Sequence, residues 1–238
     1  MKGLILAAGL SKRLQPLTNN LPKCLLTIGE KTILDHQLEV MTECGIRDVI
    51  IVIGFKGEVI KNHLKNKYQN LKISFIKNDL YRLTGPAYSL WCARKMIKHS
   101  LLYLNSDVIF PSAILHAVIK DTHESTTAIQ NVPWDEEEVN VMCNQKRKIT
   151  EIGKHITVDK NNGEFIGVTK LGKQFNKKLQ KALLYFMKKN LNKKFAADAI
   201  NLAIQKYGGR IYAVDTTAFH AIEIDTIEDY EKAKTLKI

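Results

Sequence analysis

A chain of 238 residues is long enough to bury a substantial α/β core, and 45% apolar with 25% charged residues excludes a disordered polyelectrolyte. No apolar run approaches the length of a membrane span, so the sequence offers no candidate for one. The net charge of +12 points to anionic partners, either nucleic acid or small polyanionic substrates.

The first predicted strand is Lys2–Ala7, a short apolar run. It leads into Leu6-Ala7-Ala8-Gly9-Leu10-Ser11-Lys12-Arg13-Leu14-Gln15-Pro16-Leu17-Thr18, closed by Leu21-Pro22-Lys23. Small residues at Ala7, Ala8, Gly9 and Ser11 let backbone N–H groups approach a flat base and a polyphosphate, and Arg13 and Lys23 are spaced to bracket it. The run lacks the G-K-[ST] of a P-loop, and Ser11 and Leu14 stand where a dinucleotide fingerprint needs glycine.

Further strands are predicted at Asp48–Ile53, Lys72–Ile76, Ser100–Leu104 and Thr126–Asn131. Between them, Ile33, Leu34, Leu38 and Met41 mark one helical face, and Val59, Ile60 and Leu64 another. Pro86 is expected in the first turn of a helix running through Ile97, and Pro111 in that of a helix ending near Lys120. This alternation predicts a mostly parallel sheet flanked by helices. After Asn131 the pattern changes. Val139–Cys143 and Lys148–Ile152 read as a hairpin, and Asn161-Asn162-Gly163 as a turn before the strand Phe165–Lys170. Two helices follow, then strands Ile211–Val214 and Phe219–Ile224, and a last helix capped by Thr226 with Asp229. The expected organisation is one domain, with a nucleotide-binding core over about 1–131 and an acceptor- and metal-binding part over 132–238.

The lysines of residues 170–206 alternate with Leu179, Leu183, Leu184, Phe186 and Met187, as on the solvated face of an amphipathic helix. Aromatic interleaving suited to base stacking is missing there, so no nucleic-acid partner is expected. Cys24, Cys44, Cys92 and Cys143 lie far apart and read as free, mostly buried thiols of a cytoplasmic protein.

At Leu6–Lys23 the chain resembles the nucleotidyltransferases that activate sugar phosphates and small phosphorylated alcohols, whose pattern is roughly L-A-A-G-x-G-x-R-L-x-P-L-T-x-x-x-P-K. Only Ser11 departs from it, at the second glycine. The stretch Glu138–Lys170, with Lys154 and Gly163–Val168, resembles the middle of phosphocholine-type cytidylyltransferases. The resemblance implies a Rossmann-like α/β sandwich with a hairpin and helical acceptor-binding elaboration. It also implies nucleotidyl transfer from a triphosphate, CTP on the middle segment, to a small phosphomonoester with Mg²⁺. A sugar-1-phosphate nucleotidyltransferase using UTP, dTTP or GTP is the alternative. A non-catalytic nucleotide- or nucleic-acid-binding protein is the alternative of another class. A homodimer stays open, and no membrane partner is implied.

Such a reaction joins two anions, so positioning and electrostatics carry it. Arg13 suits the β and γ phosphates and Lys23 the α-phosphate with the incoming phosphate, while Lys12 reads as a solvated neighbour. Asp107, in Asn105-Ser106-Asp107-Val108, and Asp225, in Glu223-Ile224-Asp225-Thr226, resemble the metal aspartates. Strand alternation puts Ala221, Glu223 and Asp225 on one face, making Glu223 a fallback ligand. The base pocket is expected from Leu6, Ala7, Ala8, Gly9, Ser11, Asn78, Thr84 and Gly85. Acceptor contacts are expected from Trp134, Lys154 and Glu164. Trp134 with Asp135–Glu138 reads either as a cation-binding box or as a solvated acidic turn.

Overall fold

The computed structural model describes residues 1–135, 137–157, 160 and 162–235. Glu136, in the acidic run, and Asn161, in the turn before the strand at 165, lie outside the described residues. The strands are β1 (Lys2–Ala7), β2 (Thr27–Ile28), β3 (Lys31–Thr32), β4 (Asp48–Ile53), β5 (Lys72–Lys77), β6 (Leu101–Asn105), β7 (Val108–Ile109), β8 (Thr126–Gln130), β9 (Asn140–Cys143), β10 (Ile149–Gly153), β11 (Glu164–Leu171), β12 (Tyr212–Asp215) and β13 (Ile222–Glu223). The helices are α1 (Ile33–Glu43), α2 (Gly57–Leu64), α3 (Pro86–Cys92), α4 (Ser112–Lys120), α5 (Lys173–Lys188), α6 (Ala196–Gln205) and α7 (Ile227–Ala233).

The main sheet runs β10-β9-β11-β6-β1-β4-β5, with β8 joined to β11 and β12 to β8. β6, β1, β4 and β5 are parallel, as the strand–helix alternation predicts. β11 enters antiparallel to β6, which brings the second half of the chain beside the first. The twofold period of β1 splits its side chains between two cores. Leu4 and Leu6 join Leu90 of α3, Leu179 and Leu183 of α5 and Ile200 of α6 on one face. Ile5 and Ala7 join Leu34, Leu38 and Met41 of α1, Ile60 of α2 and Ile114 of α4 on the other.

A third apolar cluster holds Leu14, Leu26, Ile28, Ile33, Ile109, Ile224 and Ala233. It fastens the Arg13–Lys23 segment to the chain's last strand and helix. Leu14 and Ile224 are fully buried, each worth about 1.5–3 kcal/mol of burial.

Four expectations change in detail. The helix from Pro86 ends at Cys92, and the next residues make i to i+3 bonds instead (Met96 N–H to Ala93 O, 2.8 Å). Side chains of α5 take nearby carbonyls: Gln180 donates to Ile97 O at 2.5 Å and Asn176 to His99 O at 2.7 Å. Pro111 caps α4 rather than starting it. The strand expected over Phe219–Ile224 is reduced to Ile222–Glu223, because Phe219 closes a turn onto Thr216 O (2.9 Å) and its own carbonyl accepts from the Gln130 amide. Of the four free thiols only Cys24 is buried, the others being half-buried.

Candidate active site

A cavity of about 260 Å³ opens at the carboxyl ends of β1 and β6, where open α/β sheets place their ligands. Leu6, Ala7, Ala8, Gly9 and Ser11 line it from the first loop, and Asn78, Thr84 and Gly85 from the loop after β5. The Ala8 carbonyl accepts from Phe55 N at 3.1 Å, which holds the first loop against β4. Ser11 takes φ 48°, so the glycine of the resembled pattern is explained by left-handed backbone; the Thr18 hydroxyl donates to Ser11 O at 2.8 Å. A Cβ on Gly9 would meet nothing within 4 Å. The protein's own packing does not require glycine there, and Gly9 lies in the cavity lining.

Asn78 organises the second loop. Its Oδ1 accepts from Leu80 N at 3.0 Å, and its amide donates to Thr84 Oγ1 (3.2 Å) and Ser89 Oγ (3.1 Å). Gly85 is pinned from a distant part of the chain. Its N–H donates to Asn192 O (2.8 Å), and the Ala87 N–H donates to Lys194 O (3.0 Å). The α5–α6 connection, read from sequence as solvated lysines, therefore buttresses this loop with its backbone.

At the other end of the cavity the cations of the first loop meet carboxylates from two remote segments. β7 and β13 form a two-residue antiparallel ribbon pairing Val108 with Glu223, and the Ile224 N–H donates to Asp107 O at 2.9 Å. This ribbon sets Asp107, Glu223 and Asp225 with one ligand oxygen each within 4.8 Å of the others. The Lys23 ammonium lies 2.9 Å from Asp107 Oδ2 and 2.5 Å from Asp225 Oδ1. Arg13 donates to Asp225 Oδ2, and its guanidinium lies 3.8 Å from Glu137. Lys12 is exposed, as expected of a solvated neighbour. Asp229 serves the α7 cap, accepting from Thr226 N at 2.8 Å.

Burial works against charge on Lys23, but Asp107 and Asp225 outweigh it and its pKa is raised. Burial also raises the Asp225 carboxyl, yet Lys23 and Arg13 hold it below the ordinary value. Burial with Asp107 and Asp225 drives the Glu223 carboxyl well above the carboxylate range, outweighing Lys23, which acts to lower it. Asp107 Oδ1 is buried without a hydrogen-bond partner among the described residues. An orphaned carboxylate oxygen inside an all-oxygen set fits a hard divalent cation such as Mg²⁺.

Glu138, Glu164 and Glu223 form a second group of converging carboxylates. Burial, then Glu138, Asp135 and Asp229, push Glu164 up to about 7. Lys154 lines the cavity, donates to Glu137 O, and has its ammonium 5.9 Å from the Phe195 ring centroid. Trp134 does not meet these residues: it lies outside the cavity lining, 38% exposed, with its indole N–H donating to Ile156 O at 3.1 Å. Of the aromatics that line the cavity the most exposed is Phe195, 53% exposed at the start of α6. The sequence reading missed it because it follows a lysine run and reaches the cavity only when α6 folds back onto β10. Its one local signal is Asp198 three residues on, which accepts from Phe195 N at 2.8 Å and marks a helix start.

A family model described as nucleotidyl transferase matches residues 2–140, more than half of the chain. The CTP:phosphoglutamine cytidylyltransferase of Campylobacter jejuni is 27% identical over 97% of this chain and 98% of that protein. The choline-phosphate cytidylyltransferase of Streptococcus pneumoniae is 33% identical over 52% of this chain and 53% of that protein. The UTP–glucose-1-phosphate uridylyltransferase AglF of Haloferax volcanii is 29% identical over 64% of each. The solved CTP:phosphocholine cytidylyltransferase from Streptococcus pneumoniae shares the fold, with a TM-score of 0.77 at 22% identity, covering 98% of this chain and 97% of that one.

Proposed function

The chain belongs to the nucleotidyl transferase family, and we propose that within it this protein transfers a cytidylyl group from CTP to a small phosphomonoester bearing an amine or ammonium group. An anionic oxygen of the acceptor phosphate attacks the α-phosphorus of CTP, the bond to the β-phosphate oxygen breaks, and pyrophosphate departs. The observation that carries this reading is the meeting of Arg13 and Lys23 with Asp107, Glu223 and Asp225 at one end of a cavity. The other end is lined by the loop that carries Asn78, Thr84 and Gly85.

Arg13 offers a planar fork to the distal phosphates, and Lys23 a point charge to the α-phosphate and the incoming phosphate. Leu6, Ala7, Ala8, Gly9 and Ser11 bind the nucleotide backbone-first, and Asn78, Thr84 and Gly85 shape the base pocket. Asp107 and Asp225, with Glu223 beside them, would hold Mg²⁺, which when bound supplies positive charge against the phosphate oxygens. Glu138 and Glu164 supply anionic partners for a cationic acceptor group, with Lys154 beside them and the Phe195 face in place of the expected Trp134. Residues 1–131 and 132–238 act as one unit in this scheme, and the free cysteines suit a cytoplasmic setting. No helix among the described residues is long and apolar enough to cross a membrane.

CTP is supported by the two cytidylyltransferase relatives; the uridylyltransferase relative supports the sugar-phosphate alternative. Pyrophosphate release, with four triphosphates crossed against phosphocholine, phosphoethanolamine, an amino-acid phosphate and glucose-1-phosphate, separates them. CTP with an amine-bearing acceptor is the expected pair. UTP with glucose-1-phosphate would overturn the substrate assignment and leave the phosphate-binding roles standing.

A further inference from the structure

Lys23 occupies an unusual position for a residue whose task is to meet a phosphate. Its side chain is 9% exposed, and its ammonium bridges Asp107 Oδ2 and Asp225 Oδ1. The other oxygen of Asp225 is held by Arg13, and the other oxygen of Asp107 is sealed from solvent with no partner among the described residues. Every accessible aspartate oxygen of the cluster thus already carries a cation.

We propose that Lys23 is the resident cation of this cluster, so that a divalent metal and a nucleoside triphosphate enter as a coupled pair. This rests on the metal-assisted transfer argued above, but not on which triphosphate is used. Mg²⁺ takes oxygen ligands at about 2.0–2.1 Å in near-octahedral geometry. An ion at that distance from both aspartates collides with an ammonium 2.9 and 2.5 Å from the same oxygens, and the two like charges repel. Metal binding therefore requires Lys23 to leave these two oxygens, and an arriving anion gives its ammonium a new partner. A triphosphate supplies that anion. It draws the ammonium off on its flexible stem while the backbone stays fixed by the Leu25 N–H to Pro22 O (2.9 Å) and Leu26 N–H to Lys23 O (3.0 Å) bonds. The vacated oxygens then accept the metal. By linkage each ligand strengthens the other, and the enzyme avoids presenting a bare metal to solvent phosphate.

Nucleotide-free Mn²⁺ binding, read from the electron paramagnetic resonance signal of the free ion, tests this without turnover. Folded Lys23→Met and Lys23→Gln proteins, checked by circular dichroism, are expected to bind Mn²⁺ about tenfold or more tightly than the wild type, within the usual range of coupling energies. Adding Asp225→Asn to Lys23→Met should abolish that gain. Equal or weaker Mn²⁺ binding by both folded variants overturns the proposal, as does tight nucleotide-free binding by the wild type. Failure of CTP as the substrate would change none of these readings. If neither substitution yields a folded protein, the wild type decides: a fall in free Mn²⁺ with protein and triphosphate together that equals the sum of the falls with each alone overturns the coupling.

Discussion

A Cβ built on Gly85 falls 2.5 Å from the carbonyl oxygen of Lys193. The two residues are far apart in sequence, and their contact joins the base loop to the α5–α6 connection. Gly85 has ordinary extended backbone (φ −96°), so the requirement for glycine is purely one of space. Backbone oxygen cannot rotate away as a side chain would.

Gly85→Ala is therefore expected to push the base loop off its support. The cost should be about 1–3 kcal/mol in stability, as for other overpacked sites. The triphosphate KM should rise while the acceptor KM stays near its original value. Denaturant melts and two-substrate kinetics measure both. An unchanged triphosphate KM would show that the loop does not shape the base pocket.

Lys23→Ala should lower turnover by roughly 10²-fold or more, the usual scale for losing one preorganised electrostatic contact to the reacting phosphates. Asp107→Asn and Asp225→Asn should each abolish metal-dependent turnover, because an amide keeps the size and loses the charge. If Asp225→Asn remains active while Glu223→Gln is dead, the principal ligand is Glu223. Single-turnover assays with saturating substrates distinguish these outcomes.

Much of this was legible because β1 and its loop are contiguous. The apolar run Leu4–Ala7 fixes a buried strand, and Leu6–Lys23 carries both cations within one short segment. Alternation also put Glu223 and Asp225 on one face, and the structure brings both beside Asp107, although only Ile222–Glu223 is strand. What escaped depends on long-range closure. Val108–Ile109 is too short to announce itself and is a strand only because Ile222–Glu223 pairs with it. Phe195 reaches the cavity, and the carbonyls of residues 192–194 reach the Gly85 loop, through tertiary packing with no periodicity to reveal them. Trp134 followed by acids looked like a cation box, yet its indole N–H is taken by Ile156 O and its ring lies away from the cavity.

Away from the site, Asp35 joins α1 to the end of α2. It is 3% exposed and accepts from Thr32 N–H and Oγ1, Lys67 Nζ (2.9 Å) and Tyr68 Oη (2.7 Å), with His63 Nε2 at 2.9 Å. Burial raises its carboxyl, but Lys67, Tyr68, Thr32 and His63 together bring it below its ordinary value. A depressed carboxylate adds stability above its unfolded pKa and loses it as pH falls through the folded one. Asp35→Ala should cost about 1–3 kcal/mol near neutral pH, since several donors lose a buried acceptor. The difference from wild type should shrink below about pH 4, where unfolded aspartate binds protons. A constant difference across that range in urea melts would show that packing, not charge, sets the cost.

Glu164 offers the opposite sign inside the cavity. Burial first, then Glu138, Asp135 and Asp229, raise it to about 7. A raised carboxyl favours the folded state below its unfolded pKa, and that contribution fades as pH climbs through the folded value. Acceptor binding should run against stability, because the ionised form that destabilises the fold is the one a cationic acceptor needs. The kcat/KM for an ammonium-bearing phosphomonoester is thus expected to rise across pH 6–8, spanning the Glu164 value of about 7. A neutral acceptor should show a flatter profile, since it gains nothing from the charge. Glu164→Gln should remove the pH-dependent rise for the ammonium acceptor and lower its kcat/KM by a few-fold to about thirty-fold, the range of a 0.5–2 kcal/mol contact to a cation. The acceptor's own phosphate titrates near pH 6, so the comparison between cationic and neutral acceptors, rather than either profile alone, isolates Glu164. Identical profiles for the two acceptors would remove Glu164 from acceptor recognition.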